Sequence, residues 1–126
     1  MTRALTLWLL LALPAGAQEA VIVPPVIPPL PAGEDAHLLR MLVHARVALA
    51  NCPGPASTAA PALLLAGAED ALVRQMGPQT PPLDAVYSPV LAALAKPGFC
   101  AAELPRVAPV LDMLVFWGGS LALIRD

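Results

Sequence analysis

Proline decides where regular structure can lie in this chain, because its ring fixes φ and its nitrogen donates no hydrogen bond. The sequence holds 16 prolines, and five of them fall within residues 18–33 (QEAVIVPPVIPPLPAG). That density excludes a helix or a central strand and predicts an extended polyproline II arm. Valine, isoleucine and leucine separate the prolines, so we expect the arm to lie along the body of the protein, where these side chains avoid water.

Beyond the arm, apolar residues recur at helical spacing between the remaining prolines. This pattern predicts three helices, over 35–51, 58–77 and 80–96. A short turn around Cys100 should then lead into a last helix that begins between Pro105 and Pro109 and continues nearly to the C-terminus.

The predicted fold is all-α, a small up-down bundle of about four helices preceded by the extended arm. Nothing in the sequence alternates as a strand does, and a chain rich in alanine and leucine but only 4% aromatic favours helices. Pro89 falls inside the third helical segment, which we expect to be kinked or split there. We assign residues 34–126 to one helical domain.

The N-terminus has the features of a secretory signal peptide. Arg3 supplies a positive charge, residues 4–13 form an uncharged apolar run, and residues 15–17 (AGA) offer small side chains to a signal peptidase. The run is too short to be a comfortable membrane span. We therefore expect cleavage after Ala17 and a periplasmic or secreted protein.

Cys52 and Cys100 are the two cysteines of the chain. In an oxidising compartment such a pair is better interpreted as a disulfide than as two free thiols or an intermolecular bridge. Closing the loop of residues 52–100 would stabilise the fold by about 4 kcal/mol on the chain-entropy model.

The charge of the chain argues against nucleic acid as a partner. Loss of Arg3 with the signal peptide leaves six basic and nine acidic side chains, and the basic surface of a nucleic-acid-binding protein is missing. Charged residues make up 13% of the chain and apolar residues 58%. Such a protein hides much of its surface in a core, a partner or a membrane.

Residues 107–124 form the most apolar segment after the signal peptide, flanked by Arg106 and Arg125. The length of this segment, residues 107–124, is at the lower limit for a transmembrane helix. Pro109 and Asp112 oppose a span, because a carboxylate near the bilayer centre costs about 2.5–3.5 kcal/mol. We favour a central helix of the bundle, buried on nearly all sides, and keep membrane association through 107–124 as the alternative.

His37, Met41 and His44 are the candidate metal ligands, since spacings of four and three residues place them on one helix face. Imidazole and thioether together suit copper. More than weak binding would need a further ligand, for which Met76 and Met113 are candidates. The alternative interpretation is an ordinary solvated helix face.

Arg46 falls on the apolar side of the first helix, where an unpaired charge is strongly unfavourable. Asp112 is isolated in the apolar last helix. We therefore expect a buried Arg46–Asp112 ion pair, either structural or part of a ligand pocket.

No arrangement of residues typical of nucleophilic, acid-base, haem, redox or phosphate-binding chemistry stands out. The leading hypothesis is an exported helical protein that binds another protein or an apolar ligand without catalysis. The alternatives are a small component tethered to a membrane by residues 107–124 and a copper-binding carrier.

Overall fold

The computed structural model describes residues 23–53 and 59–120. Within these residues four α-helices pack together and no strand is present, so the all-α prediction is confirmed. A 3-10 turn, Gly77–Gln79, directly follows the second helix. The predicted signal peptide lies outside the described residues. The helices are α1 (Glu34–Asn51), α2 (Ala59–Met76), α3 (Leu83–Leu94) and α4 (Phe99–Phe116).

The central helix of the bundle is α1, which packs more extensively against the other three than any other helix does. By contrast, α2 and α3 are consecutive in the chain but do not pack backbone against backbone. The prediction that the last helix is buried on nearly all sides is wrong, because α4 contacts the other three helices but buries only four side chains. The buried stripe of α1 comprises Leu38, Leu39, Leu42, Val43, Ala45, Val47 and Ala48.

The last helix begins earlier than its prolines suggest. Gly98, with φ 86°, precedes the first residue of α4, and the helix continues through Pro105 and Pro109. Each proline removes a helical hydrogen bond and is about 3 kcal/mol less favourable than alanine in a helix interior. Both prolines and Asp112 are exposed. One side of α4 therefore faces water, and this explains why α4 is not the central helix.

The C-terminus of α4 is a Schellman turn. Gly118 has φ 92°, and the N–H groups of Gly118 and Gly119 donate 2.9 Å hydrogen bonds back into the last helical turn. The helix thus ends at Phe116, and the continuous helix expected over 107–124 is not formed. In the described part of the chain, no helix is long and apolar enough to cross a membrane.

In α3, the helix continues through Pro89 without a break. Pro89 is exposed, so its ring does not disturb the core, and the hydrogen bond that it cannot donate is lost on the solvent side. Of the two outcomes expected at this position, a split helix is excluded.

The arm lies along the helical body, as predicted, and over residues 23–31 it follows α2. Near its start, a Cβ built on Gly67 would lie 3.8 Å from the Cβ of Pro24. Further along, Nε2 of Gln75 donates a 3.2 Å hydrogen bond to the carbonyl of Pro28. The four residues from Pro24 to Pro28 in a polyproline II conformation and the eight residues from Gly67 to Gln75 in a helix both span about 12 Å. The arm therefore stays beside α2 from the first contact to the second. Between these contacts Ile27 is buried in the core.

The first residues of the arm are joined to the chain that follows α4. The N–H of Val26 donates to the carbonyl of Trp117 at 2.9 Å, and the N–H of Ser120 donates to the carbonyl of Val23 at 3.0 Å. These two bonds fix the arm at the end of α4, so the arm belongs to the folded body.

Candidate functional site

A disulfide closes one end of the bundle. Cys52 is the C-cap residue of α1 and Cys100 lies in the first turn of α4; the two are bonded, with their Cα atoms 5.6 Å apart. The predicted disulfide is confirmed. It ties the end of the central helix to the start of the last one.

Arg46 has a different carboxylate partner from the one expected. Its Nη1 lies 3.0 Å from Oε2 of Glu69, which is on the buried face of α2. Asp112 is exposed on α4. The predicted Arg46–Asp112 ion pair is therefore wrong, because the carboxylate that faces α1 comes from α2 and that of Asp112 is turned toward water.

Tyr87 completes a polar cluster of three side chains, one from each of the first three helices. Its hydroxyl donates a 2.6 Å hydrogen bond to Oε1 of Glu69 and accepts one of 3.1 Å from Nη1 of Arg46. Both oxygens of the Glu69 carboxylate thus have a partner, although the residue is only 5% exposed. Within the described residues, no buried side-chain nitrogen or oxygen lacks a hydrogen-bond partner.

Burial, followed by the hydrogen bond and the negative charge of Glu69, raises the pKa of Tyr87 to about 12. The positive charge of Arg46 acts in the opposite direction but is the weaker influence. The hydroxyl therefore keeps its proton and serves as a donor to Glu69 at ordinary pH.

Sequence reasoning did not single out Glu69 or Tyr87. A signal for Glu69 was present, because it lies four residues after Leu65 and three before Leu72, both in the apolar stripe of α2. A charged residue in such a stripe needs a buried partner. Tyr87 gave no comparable signal.

An open groove adjoins this cluster, between α1 and α3, with a volume of about 250 Å³. We call it the α1–α3 groove. Arg46 and Tyr87 form its polar end, and Leu91, 51% exposed, projects from α3. The groove thus combines an apolar floor with polar groups that are already fixed by one another. Its remaining lining residues are Val47, Leu49, Ala50, Asn51 and Ala62.

A second groove of about 290 Å³ lies between α1 and α4, and we call it the α1–α4 groove. Beside it, Nδ1 of His44 lies 3.0 Å from Oε1 of Glu103, and Nη1 of Arg106 lies 3.6 Å from Oε2 of the same carboxylate. Glu103 is therefore shared between a histidine of α1 and an arginine of its own helix. The groove is lined by Met41, Ala45, Pro105, Arg106, Pro109 and Val110.

The three candidate metal ligands have different surroundings. His37 is exposed, Met41 lines the α1–α4 groove, and one ring nitrogen of His44 is engaged with Glu103. Over residues 23–53 and 59–120, no group of three or more histidine, cysteine or acidic side chains is arranged to hold a metal ion. Met76, suggested as a further ligand, is buried in the core.

Three comparisons with known proteins give no relative for this chain: no family model matches it, and neither does any curated protein or any solved structure.

Proposed function

We propose that this protein is a small exported binding protein that acts by holding a protein partner in its α1–α3 groove and not by catalysis. The observation that carries the proposal is an exposed apolar groove whose polar end, Arg46 and Tyr87, is fixed by hydrogen bonds to buried Glu69. The polar end of such a groove is held in place before any partner arrives, and preorganisation lowers the entropic cost of binding.

The size of the groove favours a protein side chain over a larger organic ligand. Pockets for drug-sized molecules hold about 300–1,000 Å³ and enclose most of the ligand, whereas this groove is open and holds about 250 Å³. One large apolar side chain of a partner fits such a volume. Anchors of this kind supply most of the binding energy in protein interfaces.

The polar end would give the interaction direction. Nη1 of Arg46 is bonded to Glu69 and Tyr87, which leaves the N–H groups of Nε and Nη2 for a backbone carbonyl of the partner. The Arg46 side chain is 36% exposed, so these donors can be reached. Since Glu69 balances its charge, a neutral acceptor suits the site.

Export is the second part of the proposal. It is supported by the sequence of residues 1–17 and is consistent with the disulfide between Cys52 and Cys100. Intact mass of the protein recovered from secreting cells tests it. We expect the mass of residues 18–126 less two hydrogens, and a full-length cytosolic product with both thiols free would contradict it.

The binding proposal is tested by placing a photocrosslinking amino acid at position 91 and, as a matched control, at Asp70, which is exposed on α2. The protein is expressed in its native host and irradiated there. We expect one discrete adduct from position 91 and none from position 70, with the same partner identified by mass spectrometry in repeated preparations.

A blocking variant makes the test specific to the groove. Ala62→Arg places a long charged side chain in the lining of the groove and should abolish the adduct from position 91. An adduct that persists in this variant, or that forms equally from position 70, would show that partner capture does not depend on the groove.

A further inference from the structure

The α1–α4 groove has a cation at its rim, Arg106, which forms no hydrogen bond within the described residues. Arg106 is 75% exposed, and its Nη1 is 3.6 Å from Glu103, close enough for attraction but too far for a hydrogen bond. Among the described residues, no other group bonds to this guanidinium. Its donors, arranged in a planar fork, are therefore available to a carboxylate.

The walls of this groove are apolar, and the wall formed by prolines is rigid. Pro105 and Pro109 are four residues apart, so they lie on the same side of α4, and Met41 and Ala45 form the opposite wall on α1. Both prolines are exposed, so their rings add little to the core, although each interrupts the hydrogen bonding of the helix. Residues that are locally unfavourable without a gain in packing are expected at functional sites.

We propose that the α1–α4 groove is a binding site for a small aliphatic monocarboxylate. The carboxylate accepts hydrogen bonds from Arg106, and the hydrocarbon chain lies between the proline wall and Met41. From Pro105 to Val110 the helix rises by about 7.5 Å, which matches a chain of about six carbons. This site is independent of the function proposed for the α1–α3 groove.

The charges around the groove are compatible with an acid. Glu103 is the carboxylate closest to Arg106, and its other oxygen is held toward α1 by the 3.0 Å contact with His44. The ligand can therefore approach the exposed side of Arg106 away from Glu103. On that side, Arg106 can donate two short hydrogen bonds to the carboxylate of the ligand, and these are stronger than its long contact with Glu103.

The test compares hexanoate with hexan-1-ol, which has the same chain without the charge, by titration into the ¹⁵N-labelled disulfide-bonded protein. We expect hexanoate to shift the amide signals of Met41, Ala45 and Val110 saturably, with a Kd of about 1 mM for so few atoms. Hexan-1-ol should bind about tenfold more weakly. Arg106→Gln should remove that difference, whereas Arg74→Gln, at an exposed arginine of α2, should not.

Three results would overturn the proposal. They are the absence of saturable shifts at the groove, equal binding of the acid and the alcohol, and equal loss of binding in the two arginine variants.

A peptide ending in leucine with a free carboxylate is the further probe. If it binds more tightly than hexanoate, the groove recognises the C-terminus of a protein and the small-acid assignment fails. Leu91→Asp, in the other groove, should leave hexanoate binding unchanged.

Discussion

The hydroxyl of Tyr87 and the carboxylate of Glu69 are joined by a 2.6 Å hydrogen bond. This bond holds α3 to α2, two helices that do not otherwise pack backbone against backbone. Because Arg46 of α1 reaches both groups, the three side chains fix the relative positions of three helices around one buried charge.

This bond makes the stability of the fold sensitive to alkaline pH. The pKa of Tyr87 is raised to about 12 in the folded protein, chiefly by burial, against about 10 in an unfolded chain. The folded state therefore retains the proton longer. The contribution of Tyr87 to stability should be complete below pH 10 and be lost as the pH rises through 12.

Urea unfolding between pH 8 and 12 measures this loss, with Tyr87→Phe as the control. At pH 8 the variant should be less stable by about 2 kcal/mol, since a hydrogen bond to a charged acceptor is removed. Its stability should then fall less between pH 10 and 12. Tyr87 is the one tyrosine of the chain, so its ionisation can be followed by absorbance; a midpoint near 10 in the folded protein would contradict the prediction.

Arg46→Met tests the corrected ion pair. It leaves the buried carboxylate of Glu69 without its cation, a change that costs 3–5 kcal/mol in fully buried pairs. The Arg46 side chain is 36% exposed, so water offsets part of the effect and we expect about 2 kcal/mol. Asp112→Asn should change the free energy of unfolding by less than about 0.5 kcal/mol. The reverse order of the two effects would restore the pair predicted from sequence.

Replacement of both Cys52 and Cys100 by alanine should lower the free energy of unfolding by about 4 kcal/mol. The bond joins residues 48 positions apart, so its loss opens a large loop and raises the conformational entropy of the unfolded chain. Chemical denaturation of the variant and of the reduced wild type should agree. Equal stability of the oxidised and reduced proteins would mean that the helices hold together without the covalent link.

Two glycine substitutions should have opposite signs. A Cβ at position 119 would lie 2.8 Å from Cδ1 of Leu64 and 2.9 Å from the carbonyl oxygen of Leu114, so Gly119→Ala should destabilise by about 1–3 kcal/mol. Inside α2, Gly67→Ala meets only the Cβ of Pro24 at 3.8 Å and should stabilise by about 0.5–1 kcal/mol. Thermal unfolding ranks the two; a shift in the same direction would show that the packing around these glycines differs from that described.

Local pattern was sufficient for much of the fold. The spacing of Leu38, Leu39, Leu42 and Val43 identified the buried face of α1, because helical periodicity reports directly which side meets the core. The cysteine pairing was predicted from the presence of two cysteines in a chain that begins with an export signal. Neither prediction depended on the orientation of one helix relative to another.

The parts of the site that were missed depend on that relative orientation. Asp112 was expected in the core because its neighbours in sequence are apolar, yet Val115 and Phe116 beside it are 45% and 86% exposed. A protein of this size cannot bury all its apolar side chains. Mean hydropathy therefore overestimated the burial of α4. Glu69, in a segment with more charges, proved to be the buried carboxylate.

The hydrogen bond between Val26 and Trp117 connects residues about ninety positions apart. During synthesis the proline-rich segment leaves the ribosome well before the residues that receive it exist. It must wait, extended and unpaired, until the rest of the chain has emerged. Proline suits that interval, because an extended chain with few backbone donors offers little to a neighbouring strand seeking hydrogen bonds. The prolines that keep the arm extended in the folded protein thus also make the unfolded segment less prone to aggregate during synthesis.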